Sequence, residues 1–216
     1  MTRDQRPETR DPRAQSPEPR AESPEPKAQS LVDLVVKLGG GLLAHPGCLD
    51  AVLAAISDAS TVRRILVVPG GGPFAETVRQ VDREFTLSDE AAHWMAVLAM
   101  DQYAHLITSR MAGSAVVTSA DEIGAALGAG RVPVLAVSRW LRDVDPLPHS
   151  WGVTSDSIAA WVAGVVCAWR LVLVKPPGAP KADAVDAYFD RTLPAQVVPL
   201  IVSADQAQEL RAALIE

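Results

Sequence analysis

The chain has 216 residues, 48% of them hydrophobic and 21% charged, with a formal net charge of −6; this is the make-up of one globular domain and too short for a large multidomain machine. Mild acidity with no basic stripe argues against a binder of nucleic-acid backbones. Two cysteines, Cys48 and Cys167, can build neither a disulfide framework nor a zinc site on their own.

Residues 1–30 hold six of the 17 prolines, six basic and six acidic side chains, and almost no apolar content. Such a segment cannot bury enough surface to offset its ordering entropy. Within it, Ser16–Glu22 (SPEPRAE) is nearly repeated by Ser23–Gln29 (SPEPKAQ), a pattern of extended, solvated linkers. The expected organisation is therefore a disordered, dispensable tail over residues 1–30 and one folded domain over residues 31–216. No apolar signal core opens the chain, so the cytoplasm is the expected compartment.

The folded part begins with a predicted strand at Leu31–Leu38 and a helix near Leu49–Ser57. A second strand, Ile65–Val68, leads through Gly70, Gly71 and Gly72 into a helix near Phe74–Phe85, where Phe74, Val78 and Val81 follow helical spacing. Ser88 is placed to cap a long helix reaching about Leu106, with Asp89 and Glu90 in its positive first turn. Strands at Ala115–Thr118 and Val132–Val137 flank a helix around Asp121–Leu127, and a loop runs from Asp143 to Val153.

A helix over Ser155–Val166 and a strand at Leu171–Val174 follow. Arg170 interrupts this apolar stretch and Pro176 and Pro177 end it, so it reads as a buried helix and strand, with no membrane as partner. A helix near Ala184–Arg191, a strand at Val197–Val202 and a helix capped by Ser203 close the chain. Strands alternating with helices predict a three-layer α/β/α sandwich around a largely parallel sheet. Ligands of such sheets sit beyond the carboxyl ends of the strands.

Three groups of residues at those ends can carry chemistry. The first strand ends in Lys37-Leu38-Gly39-Gly40-Gly41 and the second in Pro69-Gly70-Gly71-Gly72-Pro73-Phe74. Glycine turns are common in α/β folds, but two triplets in equivalent places suit two adjacent anion cradles. Only four of the 20 basic residues are lysines, and Lys37, Lys175 and Lys181 all fall at strand ends or in loops on the ligand side. Lys37 follows Val35 and Val36 inside a buried-looking strand, where an unpaired ammonium is costly and calls for an anion.

The third group is His149-Ser150-Trp151-Gly152-Val153-Thr154-Ser155-Asp156-Ser157. Thr154, Ser155 and Asp156 read first as a helix cap, and alternatively as a means of bringing Asp156 to Lys37. Trp151 and His149 read either as a flat aromatic face and polar donor for a heteroaromatic ligand, or as a core anchor and a loop cap. His93 and His105 read as ordinary partly buried histidines. The GxxxxGK[ST] pattern is absent, and no GxGxxG follows the first strand, which argues against P-loop and dinucleotide sites.

Lys37-Leu38-Gly39-Gly40, Pro69–Phe74 and Thr154–Ala160 (TSDSIAA), in that order, resemble the amino-acid kinase superfamily, which includes acetylglutamate, aspartate and uridylate kinases. The resemblance spans about Leu31 to Glu216. Within it, His149-Ser150-Trp151 before the Thr-Ser-Asp-Ser run is similar to the aminomethylfuranmethanol-phosphate kinases of methanofuran and methylofuran biosynthesis.

This resemblance implies a kinase using ATP and Mg²⁺, with no metal ligand assigned to the protein, acting on an anionic small molecule as a homo-oligomer. The implied acceptor is a furfuryl phosphate intermediate of a methanofuran-like C1 carrier, giving a diphosphate. Lys37 would contact the transferred γ-phosphoryl group, and Asp156 would organise the lysines. Lys175 or Lys181 would be the second catalytic lysine. Gly39, Gly40 and Gly41, with Lys175, would lie against the donor phosphates. Gly70, Gly71 and Gly72, with His149, Trp151, Thr154 and Ser155, would hold the acceptor. Relatives usually carry a Thr-Asp-x-x-Gly-like turn where this chain has Lys175-Pro176-Pro177-Gly178. That departure motivates the alternative of a non-catalytic binding or assembly subunit with the same fold.

Overall fold

A computed structural model describes residues 30–179 and 185–216. The proline-rich repeat and Lys181 lie outside the described residues, as does the start of the helix expected at Ala184. Six strands form one parallel sheet in the order β3-β4-β2-β1-β5-β6: β1 (Leu34–Leu38), β2 (Ile65–Pro69), β3 (Ser114–Val117), β4 (Val132–Leu135), β5 (Arg170–Lys175) and β6 (Val198–Ser203). The helices are α1 (Pro46–Ala59), α2 (Gly72–Phe85), α3 (Asp89–Arg110), α4 (Ala120–Gly128), α5 (Ser138–Val144), α6 (Ser155–Val165), α7 (Phe189–Thr192) and α8 (Ala207–Ile215). A single 3-10 segment, Gly40–Ala44, links β1 to α1.

The sheet is covered on both faces, which gives the three-layer sandwich. Alternation along β1 sends Leu34, Val36 and Leu38 into one core with α1, α8 and the second half of α3. Val35 points the other way, into a core built by α4, α6 and α7 with Leu171 and Leu173 of β5. Strands buried on both faces carry no polar alternation, and all five residues of β1 are buried.

Several local expectations are corrected. The first strand starts at Leu34 rather than Leu31, because Leu31 N–H bonds Val166 O and Asp33 engages Arg64, outside the ladder. α3 runs four residues beyond Leu106, to Arg110, and Ser88 caps it by accepting from Ala91 N. It has no single apolar face: Val97 and Met100 enter one core, while Tyr103, Ala104 and Ile107 enter the other.

The loop placed from Asp143 starts later, because α5 occupies Ser138–Val144 and ends on Asp145 in the left-handed region (φ 42°). The helix expected up to Arg191 is only the single turn Phe189–Thr192. Ser203 is the last residue of β6, and α8 starts at Ala207 with Gln206 before it, so Ser203 does not cap that helix. His105 is exposed rather than partly buried.

Candidate active site

The period of two in β1 puts Lys37 on the same sheet face as Val35, at the end of the row that faces α6. In the adjacent strand, Leu171, Leu173 and Lys175 share that face, and Lys37 is in register with Leu173. Both ammonium groups thus emerge at the carboxyl end of the sheet, on the side of α6. Asp156, in the first turn of α6, meets both: Lys37 Nζ is 2.8 Å from Oδ1, and Lys175 Nζ donates to Oδ2 at 2.8 Å. The carboxylate thus forms a close ion pair with each ammonium group.

Lys37 is 4% and Asp156 6% exposed, so the charges interact across a medium much less polar than water. Burial pushes the Lys37 ammonium below its usual value, Asp156 opposes this, and Lys175 adds to it. Burial raises the Asp156 carboxyl, but Lys37 and Lys175 outweigh that effect and hold it below its usual value. One carboxylate against two ammonium groups leaves positive charge facing the strand ends, which a bound anion would neutralise.

The local fold explains why Asp156 is available. Thr154 caps α6 only weakly, its hydroxyl accepting from Asp156 N at 3.4 Å. The firmer cap comes from Asp186, whose carboxylate accepts from Thr154 N at 3.0 Å, Thr154 Oγ1 at 2.7 Å and Ser157 N at 3.1 Å, and also from Ser157 Oγ. With these helix-end donors satisfied by Asp186, Asp156 is left to the lysines. Replacing Asp186 by alanine is therefore expected to lower stability by about 2 kcal/mol and to lower activity with it; unchanged thermal melting and turnover would show that the cap is not needed.

A cleft of about 660 Å³ is lined by the glycine turns that follow β1 and β2, by α2 and α3 and by the start of α6, but by neither lysine. Gly40, Gly41, Gly71, Gly72, Trp151, Thr154 and Ser155 all line it. The two turns are packed against each other: a Cβ on Gly40 would lie 2.1 Å from the Gly72 amide nitrogen, and Gly72 has φ +56°. Only glycine fits either position. Gly39 and Gly70 spend their N–H groups inside the fold, on Val174 O and Leu38 O. They therefore shape the turns rather than face the cleft.

Trp151 is pinned: its indole N–H donates to Asp82 Oδ2 at 2.7 Å, and the Arg79 guanidinium sits 4.2 Å from its ring centroid. His149 is outside the cleft lining. It bonds Asp145 at 2.9 Å and stacks on His93. The sequence reading missed Asp186, Arg79 and His93; a Thr-x-x-Ser step at a helix start facing a remote aspartate has no signature in linear order.

A parallel α/β sandwich with two lysines bridged by one aspartate at the strand ends, near two tightly packed glycine turns, is an arrangement chemically suited to an anion. Residues 34–176 match the model of the amino acid kinase family, and the chain belongs to that family and is a kinase. It is 26% identical over 160 residues, covering 73% of this chain and 68% of the relative, to the [5-(aminomethyl)furan-3-yl]methyl phosphate kinase of Methanocaldococcus jannaschii. The uridylate kinase of Archaeoglobus fulgidus shares the fold with a TM-score of 0.63 and 17% identity, over 84% of this chain and 95% of that one. UMP kinase of Ureaplasma parvum does so with a TM-score of 0.59 and 15% identity, over 81% and 90%. No helix among the described residues is long and apolar enough to cross a membrane.

Proposed function

We propose that this kinase transfers the γ-phosphoryl group of ATP to the phosphate of a furfuryl-type phosphate, giving a diphosphate. The observation that carries the reading is the Lys37–Asp156–Lys175 bridge at the carboxyl ends of β1 and β5, with Ser155, the chain neighbour of Asp156, lining the glycine-walled cleft. A phosphate acceptor is already ionised at neutral pH, so its oxygen attacks the γ-phosphorus without a general base while the bond to the β–γ bridging oxygen breaks. Catalysis is then positioning and charge neutralisation. Lys37, between the two strand ends, would follow the charge of the moving group. Lys175, next to Pro176, would neutralise the donor side, and Asp156 would keep both ammonium groups in place.

Both oxygens of Asp156 already face lysines, and no other carboxylate contacts this bridge among the described residues. Mg²⁺ therefore fits here only as an ion carried on the donor phosphates with its own waters, where it would neutralise developing charge. The acceptor reading draws on the M. jannaschii relative and on Trp151, whose ring offers a flat apolar wall. Arg79 beside it offers a cation for the acceptor phosphate. Exposed Phe85, Met95 and Leu98 on α2 and α3 support self-association, and the small, charged substrates suit the cytoplasm.

The test is turnover of MgATP with [5-(aminomethyl)furan-3-yl]methyl phosphate, compared with UMP. Formation of the furan diphosphate supports the reading. ATP binding without transfer to either acceptor would overturn the furan-phosphate reading. Trp151→Leu is expected to raise KM for the furan phosphate severalfold and leave KM for ATP nearly unchanged; equal effects on both would return Trp151 to a purely structural role.

A further inference from the structure

Outside the cleft, three chain segments bring chemistry-bearing side chains together: His93 from α3, Asp145 at the end of α5, and His149 from the loop that follows. Their ligand atoms all lie within 4.8 Å of one another. We propose that His93, Asp145 and His149 form a binding site for a borderline divalent ion of the zinc type, clamping the 145–151 segment to α3. Two imidazoles and one carboxylate are the donor set such ions prefer, while Mg²⁺ prefers oxygen. Zinc bonds of about 2.0–2.1 Å place tetrahedral ligand atoms roughly 3.3 Å apart, so binding draws the three side chains closer together than they stand here.

One further observation supports the site. The imidazole rings are stacked with centroids 4.2 Å apart and planes 15° from parallel, an arrangement that two imidazolium cations would oppose. The clamp has a structural consequence: Trp151 and Thr154, which line the cleft, follow directly from the segment it would hold.

The experiment is a Zn²⁺ titration of the full chain in excess Mg²⁺ against a chromophoric chelator, with thermal melts alongside. One Zn²⁺ per chain is expected, with a rise in Tm. His93→Gln and Asp145→Asn are each expected to weaken binding at least about tenfold, the scale on which losing even an outer partner is felt. Asparagine tolerates the left-handed backbone at 145, so that variant keeps the local fold. Equal binding by both variants, or no binding by the wild type, overturns the proposal. Co²⁺ in the wild-type chain gives an independent reading: a four-coordinate visible band without thiolate charge transfer supports the site, and a thiolate band would move the ion to a cysteine and overturn it.

Discussion

Lys37→Ala is expected to lower kcat by about 10²–10³-fold, the loss found when one preorganised charge-stabilising donor is removed, with KM values changed far less. Folding should be affected far less than turnover, because Asp156 keeps Lys175 as a partner and the substitution also removes a buried ammonium whose desolvation opposed the pairing. The pH dependence separates the two roles. Because the folded-state value of Lys37 lies below its usual 10.5, the unfolded chain binds the extra proton between those two values, so stability rises with pH across that window and is lost as pH falls back through the folded value. Activity runs the other way: kcat should fall on an alkaline limb lying below the titration of an exposed lysine. In Lys37→Ala the lysine contribution to the stability slope should vanish. Wild-type turnover in that variant would remove Lys37 from the chemistry.

The layers of the fold were legible because the central strands β1, β2, β4 and β5 are short, rich in apolar and β-branched residues and largely buried, while α3, α4 and α6 open on side-chain caps. Elements failed where a tertiary contact overrides the local pattern. α3 lacks a single apolar stripe because it serves two cores in succession, so its end could not be read from spacing. α5 is short, with Trp140 and Leu141 among charged neighbours, and its end depends on a left-handed Asp145 that no periodicity announces. Around 185–192, Asp186 folds back onto α6 and only a single turn of helix forms behind it.

The site was legible in part for a physical reason. A lysine closing an apolar run needs a counter-charge, and sheet alternation decides which helix can supply it; both facts lie in the sequence. Whether Asp156 caps its helix or reaches the lysines was open in linear order, because the answer depends on Asp186, thirty residues away. The same holds for His149. Its place beside Trp151 suggested a common target, yet the two side chains diverge, one to Asp145 and His93 and the other to Asp82 and the cleft.

Asp156→Asn should be the most damaging single change in both stability and rate. It leaves Lys37 and Lys175 facing each other with no carboxylate between them, and breaking a buried pair by removing one partner costs about 3–5 kcal/mol. Turnover should fall by at least about 10²-fold, more steeply at alkaline pH, since Lys37 loses the group that opposes its deprotonation. The acid side gives a second signature. Asp156 is held below its usual 3.8 by the two lysines, so its contribution is complete above that value and is lost as pH falls through the folded-state value. Wild-type stability should therefore drop in strongly acidic solution by an increment the asparagine variant does not show. Inorganic phosphate should restore part of the variant's melting temperature by supplying the missing negative charge, and should raise that of the wild type less. A variant that is merely less stable, with normal kcat when folded, would reduce Asp156 to a structural ion pair.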